Sequence, residues 1–187
     1  MKKKNNQETK SIQLTPSERK YLKLHKTLKL QIELVPRSCW FSNTRKNLKK
    51  SHWDRIRKYH YKKANNVCEI CRGKGKKYPV VCHEVWVYND KTLVQKLAYF
   101  QAICPLCHEV KHIGLAGILG NRVRALKRFK KLNNLNNETA DNIIHTVFKQ
   151  WRIRSKYKWK LDIKHLKKYG IDINELNSKS KQKIYFK

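Results

Sequence analysis

Three metal-ligand motifs follow one another between residues 68 and 112: Cys68-Glu69-Ile70-Cys71, then Cys82-His83-Glu84, then Cys104-Pro105-Leu106-Cys107-His108-Glu109-Val110-Lys111-His112. Two CxxC pairs in one short region are typical of a single tetrahedral zinc site. The residues predicted to bind one structural Zn²⁺ as thiolates are Cys68, Cys71, Cys104 and Cys107. Four thiolates leave no open coordination position for water, so this ion is predicted to stabilise the fold and to take no part in chemistry.

The histidines of these motifs are left over from the zinc site and form a second set. His108 and His112 lie at positions i and i+4 of a helix that is predicted to begin after Cys104, so both side chains point to one face. His83 lies upstream on a predicted strand. Such a set is sufficient for one metal ion and one general base. A solvated helical face is the alternative explanation of the pair, and the neighbouring zinc site in a basic chain argues against it.

The charge balance indicates the kind of partner. The chain carries 45 Lys and Arg against 13 Asp and Glu, a formal net charge of +32, and Arg and aromatic residues are interspersed with the lysines. A field of this size favours a polyanion, with nucleic acid as the first candidate and an anionic membrane as the second. No apolar run is long enough to span a membrane, and we expect no membrane partner. No secretory signal is recognisable, so we expect a cytoplasmic protein with reduced cysteines.

The chain is predicted to be an α+β protein with a zinc-stapled core and helical flanks. The predicted regions are a disordered basic tail (1–14), an N-terminal extension of helix and strand (15–66), the zinc-stabilised core (67–116), a basic helical region (117–170) and a C-terminal tail (171–187).

Local patterns predict the individual elements. Thr15-Pro16-Ser17-Glu18 and the run that begins at Ser51 have the form of capping boxes and predict helix starts. Alternating apolar residues predict a strand over 28–35, and β-rich composition predicts strands over 78–87 and 96–103. Pro105 predicts a helix capped by Cys104, which Gly114 ends or interrupts. Further helices are predicted over 121–132, 138–156 and 161–169.

Residues 68–112 resemble the HNH nucleases, also called ββα-metal or His-Me finger enzymes. A looser similarity runs from about residue 37 to 170 and is to a bacterial and phage subgroup; it rests on Cys39-Trp40-Phe41-Ser42-Asn43-Thr44-Arg45, Trp53-Asp54 and Trp159-Lys160-Leu161-Asp162. The resemblance implies a ββα-metal finger in the cytoplasm of a bacterium or of a phage-infected host.

The resemblance also implies roles for single residues. His83 matches the general base, and His108 and His112 match the helical ligands of a catalytic Mg²⁺, Mn²⁺ or Zn²⁺. Cys82 matches a residue that is usually Asp or His and binds the same metal. A thiolate is a soft ligand that suits Mg²⁺ poorly, so a packed thiol is an equal alternative. Tyr99 falls near the central Asn of the family name, which orients the loop that carries the base. Tyr99 cannot replace Asn fully, so the alternatives are Asn89, from the loop, and loss of this role.

The implied function is metal-dependent hydrolysis of DNA phosphodiester bonds, in which the base takes a proton from the attacking water and the metal stabilises the leaving oxygen. The residues expected to contact phosphate are Arg122, Arg124, Lys127 and Arg128. Since no separate sequence-reading domain is evident, a protein or nucleic-acid guide is a further candidate partner. The rival interpretation is a non-catalytic zinc module that binds DNA or RNA within a larger assembly.

Overall fold

The computed structural model describes residues 14–42 and 44–172 and shows a mixed α+β fold, which confirms the predicted class. The α-helices are α1 (Pro16–Thr27), α2 (Thr44–Asn47), α3 (Lys50–Lys63), α4 (Pro105–Lys111), α5 (Ile113–Ile118), α6 (Arg122–Asn133) and α7 (Asn137–Arg154). The strands are β1 (Val81–Asn89), β2 (Val94–Ile103) and β3 (Lys160–Asp162), and 3₁₀ helices occupy Arg37–Ser42 and Lys164–Tyr169.

A small three-stranded sheet of order β1-β2-β3 forms the centre of the fold. β1 and β2 pair as an antiparallel hairpin in which His83 lies opposite Gln101 and Val85 opposite Tyr99. The register shifts between Val85 and Trp86. β3 adds to the other edge of β2 in parallel. Because successive side chains of a strand point to opposite faces, His83 and Cys82 are directed to different sides of the sheet.

Helix α4 follows β2 after the single residue Cys104, as the sequence predicts. Cys104 is the N-cap with extended backbone angles, and Pro105 occupies the first helical position. The helix ends at His112, where φ is −107° and ψ is 45°. The predicted break at Gly114 is therefore two residues too late, since Gly114 lies inside α5. A hairpin followed by a helix thus carries the second and third motifs, and the first lies in the turn before the hairpin.

Two hydrophobic clusters pack the described residues. The larger includes buried residues of α4, α5, α6 and α7 and the segment before residue 36: Leu30, Ile32, Val110, Ile113, Phe129, Ile143 and Val147. The smaller joins α3, β2 and the C-terminal 3₁₀ helix through Leu48, Ile56, Leu97, Phe100, Ile163, Leu166 and Ile171. The four zinc-motif cysteines border the larger cluster, so their position depends on its packing.

Of the two capping boxes that the sequence predicts, one is confirmed and one is wrong. The box at α1 is confirmed, because Glu18 N–H donates to Thr15 Oγ1 (3.2 Å) and Thr15 N–H to Glu18 Oε2 (2.8 Å). The box at Ser51 is wrong. Helix α3 begins at Lys50 after Lys49, which makes no side-chain cap, so the helix starts before the Ser51 hydroxyl could cap it.

Two other element predictions are corrected. Residues 28–35 form no strand; they bond to Lys111 of α4 and Asn133 of α6 instead of joining the sheet, and alternation alone does not specify the partner. The last helix predicted over 161–169 is wrong in its first part, because β3 pairs with β2 there and only the 3₁₀ turn of residues 164–169 is helical. Most of the two predicted tails lies outside the described residues. Within the described ranges, every helix is too short or too polar to cross a bilayer.

Candidate metal centres

The four cysteines of the CxxC motifs converge on one point. Their Sγ atoms all lie within 4.8 Å of one another. Cys71 Sγ and Cys104 Sγ are 3.7 Å apart. Two thiolates bound tetrahedrally at a Zn–S length of about 2.3 Å are separated by about 3.8 Å, so the donor set and its spacing fit zinc. These four cysteines are close enough to hold a structural zinc ion.

Backbone turns support this cysteine cluster. Cys71 N–H donates to Cys68 Sγ (3.5 Å) and Gly73 N–H to Cys71 Sγ (3.4 Å). Arg72 adopts a positive φ of 63° in this turn. Gly75 must be glycine, because a Cβ there would lie 2.1 Å from Tyr78 O and 2.6 Å from Pro105 Cδ. The loop after the first CxxC is thus pressed against the start of α4, which carries the second.

The electrostatics of the cluster favour a cation at its centre. Hydrogen bonds from the thiols of Cys104 and Cys107 lower the pKa of Cys68. The pKa of Cys107 is raised in turn, because Cys104 and Cys68 hold its proton and burial disfavours its charge. One thiolate is therefore accommodated at the expense of its neighbours. Only a bound cation allows several of these sulfurs to be thiolates at once.

A second cluster brings together the three histidines of the motifs. One ring nitrogen from each of His83, His108 and His112 lies within 4.8 Å of the others. The ring centroids are 4.6 Å apart for His108 and His112, and 5.0 Å for His83 and His112. Burial, followed by the neighbouring histidines, lowers the pKa of His108 to about 3 and of His112 to about 4. Neutral imidazoles are the form that binds metal.

Glu33 contacts the ring of His83, and no sequence motif indicates this contact. His83 Nε2 is 2.8 Å from Glu33 Oε2, and Lys111 Nζ contacts the other carboxylate oxygen. Burial raises the pKa of Glu33, but the His83 hydrogen bond and the Lys111 charge outweigh it and hold the pKa at about 2. His83 is only 3% exposed. The histidine is therefore held by a charged carboxylate.

Gln101 is a second neighbour that the sequence did not indicate. It is the cross-strand partner of His83, so the two side chains share a face of the hairpin. Its Oε1 is buried and has no hydrogen-bond partner among the described residues. A buried carbonyl oxygen normally accepts a hydrogen bond, so Gln101 places an unpaired acceptor on the face of the hairpin that carries His83.

Cys82 points away from His83 on β1, whereas Tyr99, the partner of Val85, lies on the same face of the hairpin as His83. Cys82 packs against the smaller hydrophobic cluster, and burial followed by the charges of Glu84 and Glu69 raises its pKa to about 12. It has the surroundings of the packed thiol, one of the two alternatives for this residue. Tyr99 is 47% exposed on β2. Asn89, the alternative to Tyr99, caps the hairpin turn by accepting from Lys91 and Thr92 N–H.

The four basic residues predicted to contact phosphate have different surroundings on α6. Arg122 and Lys127 are exposed. Arg124 is exposed too, but it forms a bidentate ion pair with Glu109. Arg128 Nη2 lies 3.9 Å from Cys107 Sγ, and its Nε is buried with no hydrogen-bond partner in the part of the chain that the structure describes. Arg128 thus faces the cysteine cluster.

Comparisons with protein families, curated proteins and solved structures give no match for this chain. The geometry of the two clusters and the charge of the chain are therefore the basis for a functional assignment.

Proposed function

We propose that this chain is a metal-dependent endonuclease of the HNH type that hydrolyses phosphodiester bonds of DNA. The observation that carries the proposal is the separate cluster of three histidines beside the four cysteines. A cysteine cage alone would account for a structural zinc. The histidines add a second donor set of a different kind, on the hairpin and helix that the family resemblance implies.

The residues of the cluster have complementary roles in this proposal. A divalent ion bound by the histidines would activate water and neutralise the charge of the scissile phosphate. His108 and His112, neutral and fixed on α4, offer ring nitrogens to it. His83 has two candidate roles, the general base implied by the resemblance and a third ligand. Its burial and its bond to Glu33 favour the ligand role, because a base must reach the attacking water.

The substrate is proposed to be DNA because of the charge. A net charge of +32 attracts a polyanion and gives salt-sensitive binding. Helix α6 follows α4 and the short helix α5 in the chain. Its Arg122 and Lys127 are exposed and available to contact phosphate. In this proposal, basic side chains orient the duplex by its backbone while the histidine cluster acts on one phosphate.

The test is a plasmid-nicking assay of the zinc-loaded chain with Mg²⁺, Mn²⁺, Ni²⁺ and Zn²⁺ in turn. Wild type is expected to nick with at least one ion, and His112→Ala is expected to lose cleavage while keeping the cysteine-bound zinc. His145→Ala, which changes an exposed histidine of α7, is the matched control and should cleave normally. Absence of cleavage with every ion, or full activity in His112→Ala, would contradict the proposal.

The rival function is a zinc-containing module that binds DNA or RNA without cutting it. The burial of His83 and its carboxylate partner favour this alternative, because a closed histidine site can be purely structural. The two functions differ in one result. The rival function predicts no nicking with any ion. It also predicts salt-dependent nucleic-acid binding, which His112→Ala weakens only if the variant loses its fold.

A further inference from the structure

Residues 28–36 form a segment without helix or strand that brings a carboxylate to the histidine cluster from outside the hairpin-helix motif. Glu33 N–H donates to the main-chain oxygen of Lys111 at 2.8 Å, so the segment is bonded directly to α4. From there the Glu33 side chain reaches His83 on β1 and Lys111 Nζ on α4. One residue thus connects the strand and the helix that carry the cluster.

The segment is fixed on both sides of Glu33. Asn133 bonds both main-chain polar groups of Leu30, at 3.0 and 2.8 Å. His25 Nε2 accepts from Ile32 N–H at 2.9 Å. The indole N–H groups of Trp40 and Trp151 both donate to the Val35 carbonyl at 2.9 Å. Glu33 is therefore held in place before any ligand arrives, as a supporting residue of a binding site must be.

The Glu33–Lys111 ion pair is a poor candidate for a purely stabilising contact. Both side chains are largely buried, at 20% and 7% exposure. Burying an ion pair costs about as much desolvation free energy as the attraction returns, and apolar residues of similar size often stabilise as well or better. The third partner, His83, gives the carboxylate another role.

We propose that Glu33 is a positioning residue for metal binding by His83. It accepts a hydrogen bond from His83 Nε2–H, which leaves Nδ1 as the lone-pair nitrogen for an ion shared with His108 and His112. A carboxylate behind a ligating histidine fixes its tautomer and ring orientation and increases its basicity. Lys111 keeps the carboxylate charged and aimed. The inference rests on the proposed metal-binding role of the cluster.

The binding test uses the full chain with zinc in its cysteine cluster and titrates Ni²⁺, which imidazole ligands suit, by calorimetry. Glu33→Gln is expected to weaken Ni²⁺ binding by about 10- to 100-fold with the zinc content unchanged. Glu18→Gln is the matched control, because Glu18 also pairs with a lysine, Lys149 at 2.6 Å, on a different face. Equal Ni²⁺ affinity in Glu33→Gln and wild type would overturn the inference.

A double variant separates positioning from simple charge balance. Glu33→Gln leaves Lys111 unpaired, so Glu33→Gln combined with Lys111→Met removes that charge. The double variant is expected to regain stability but to keep the weakened Ni²⁺ binding. Recovery of wild-type affinity would show that Glu33 only neutralises Lys111, and the inference would fail.

Nitrogen NMR of metal-free wild type tests the tautomer without any variant. ¹⁵N-labelled His83 is expected to show one Nε2–H tautomer, and a dominant Nδ1–H form would overturn the proposal. The nuclease function is judged separately by nicking. If Ni²⁺ binding depends on Glu33 but no DNA is cut, the positioning role stands and the nuclease function fails. If DNA is cut but Ni²⁺ binding does not depend on Glu33, the nuclease function stands and the positioning role fails.

Discussion

At the scale of single residues, the contacts of His83 limit its role more than those of any other residue of the site. Its Nε2 is engaged by Glu33 and its ring is almost fully buried. We predict that His83→Ala abolishes Ni²⁺ binding at the histidine cluster together with cleavage, while the cysteine-bound zinc and DNA affinity are retained. Metal analysis, calorimetry and nicking rates measure this.

A different pattern would return His83 to the role of general base. In that case Ni²⁺ binding would persist in His83→Ala and turnover alone would fall, by about a hundredfold or more. His145→Ala again serves as the control, since that histidine is exposed on α7.

Cys82 supports a second prediction at this scale. The thiol is packed beside the smaller hydrophobic cluster, away from the histidines. Cys82→Ala should therefore keep Ni²⁺ affinity and zinc content. Cys82→Asp should lower the free energy of unfolding by about 1–3 kcal/mol or more, because it places a polar or charged group there without a partner. Denaturant melts of both variants measure this, and loss of Ni²⁺ binding in Cys82→Ala would instead identify a ligand.

The residues of the two clusters were not equally visible in the sequence. The spacings of the cysteines and histidines are typical of metal sites, and they predict all seven residues of the two clusters. Glu33 and Gln101 have no such spacing. Glu33 meets His83 across a separation of 50 residues, and nothing local to Glu33 indicates that contact. Long-range side-chain partners depend on the packing of the whole fold.

At the scale of elements, the cysteine cluster joins the turn at residues 68–73 to the start of α4. Zinc bound by the four cysteines would link these two segments directly, and structural zinc contributes on the order of 10 kcal/mol of folding free energy in small modules. We predict that Cys71→Ala loses the zinc and melts well below wild type or aggregates. Metal analysis and thermal melting measure this; Cys39→Ala, at a buried cysteine outside the cluster, should keep its zinc.

Helix α6 gives a prediction from its two kinds of basic residue. Arg122 and Lys127 are exposed, whereas Arg124 pairs with Glu109 and Arg128 faces Cys107. Arg122→Ala with Lys127→Ala should reduce the slope of log affinity against log salt by up to about 1.8, which is about 0.9 for each phosphate that the protein no longer neutralises.

The companion variant Arg124→Ala with Arg128→Ala should change that slope less and lower thermal stability more. Fluorescence anisotropy over a salt series compares the two pairs. If the companion pair has the larger effect on the slope, the phosphate-contacting face of α6 is the one that carries Arg124, which pairs with Glu109 of α4.

Elements were predictable where local chemistry determines them. The Thr15 cap, the Cys104-Pro105 helix start and the β-rich runs each act through neighbouring residues, and the corresponding elements appear. Residues 28–35 show the limit. Their alternation correctly places Leu30 and Ile32 inside, but the same burial arises when a segment without regular structure packs against helices.

At the scale of the whole molecule, buried histidines and a large positive charge combine to make stability depend on pH. His25 is buried with its Nε2 accepting from Ile32 N–H. Burial, and then the charge of Lys111, lower its pKa from 6.5 to about 4. Because the unfolded chain binds this proton more readily, the stabilising contribution is complete above about pH 6.5 and is lost as the pH falls toward 4.

We therefore predict that the metal-free histidine cluster and His25 together make the melting temperature fall as the pH is lowered from 7.5 to about 5.5, a range in which the zinc content is checked in parallel. His25→Gln should flatten this dependence, because an amide oxygen can accept from Ile32 N–H without titrating. His145→Gln, on the exposed face of α7, should follow wild type.

Each proton gained also adds to a net charge already at +32, so low salt should steepen the decline of the melting temperature with falling pH and a bound polyanion should reduce it. A melting temperature that stays flat in wild type, or a decline that His25→Gln leaves unchanged, would mean that the His25 hydrogen bond does not link folding to protonation.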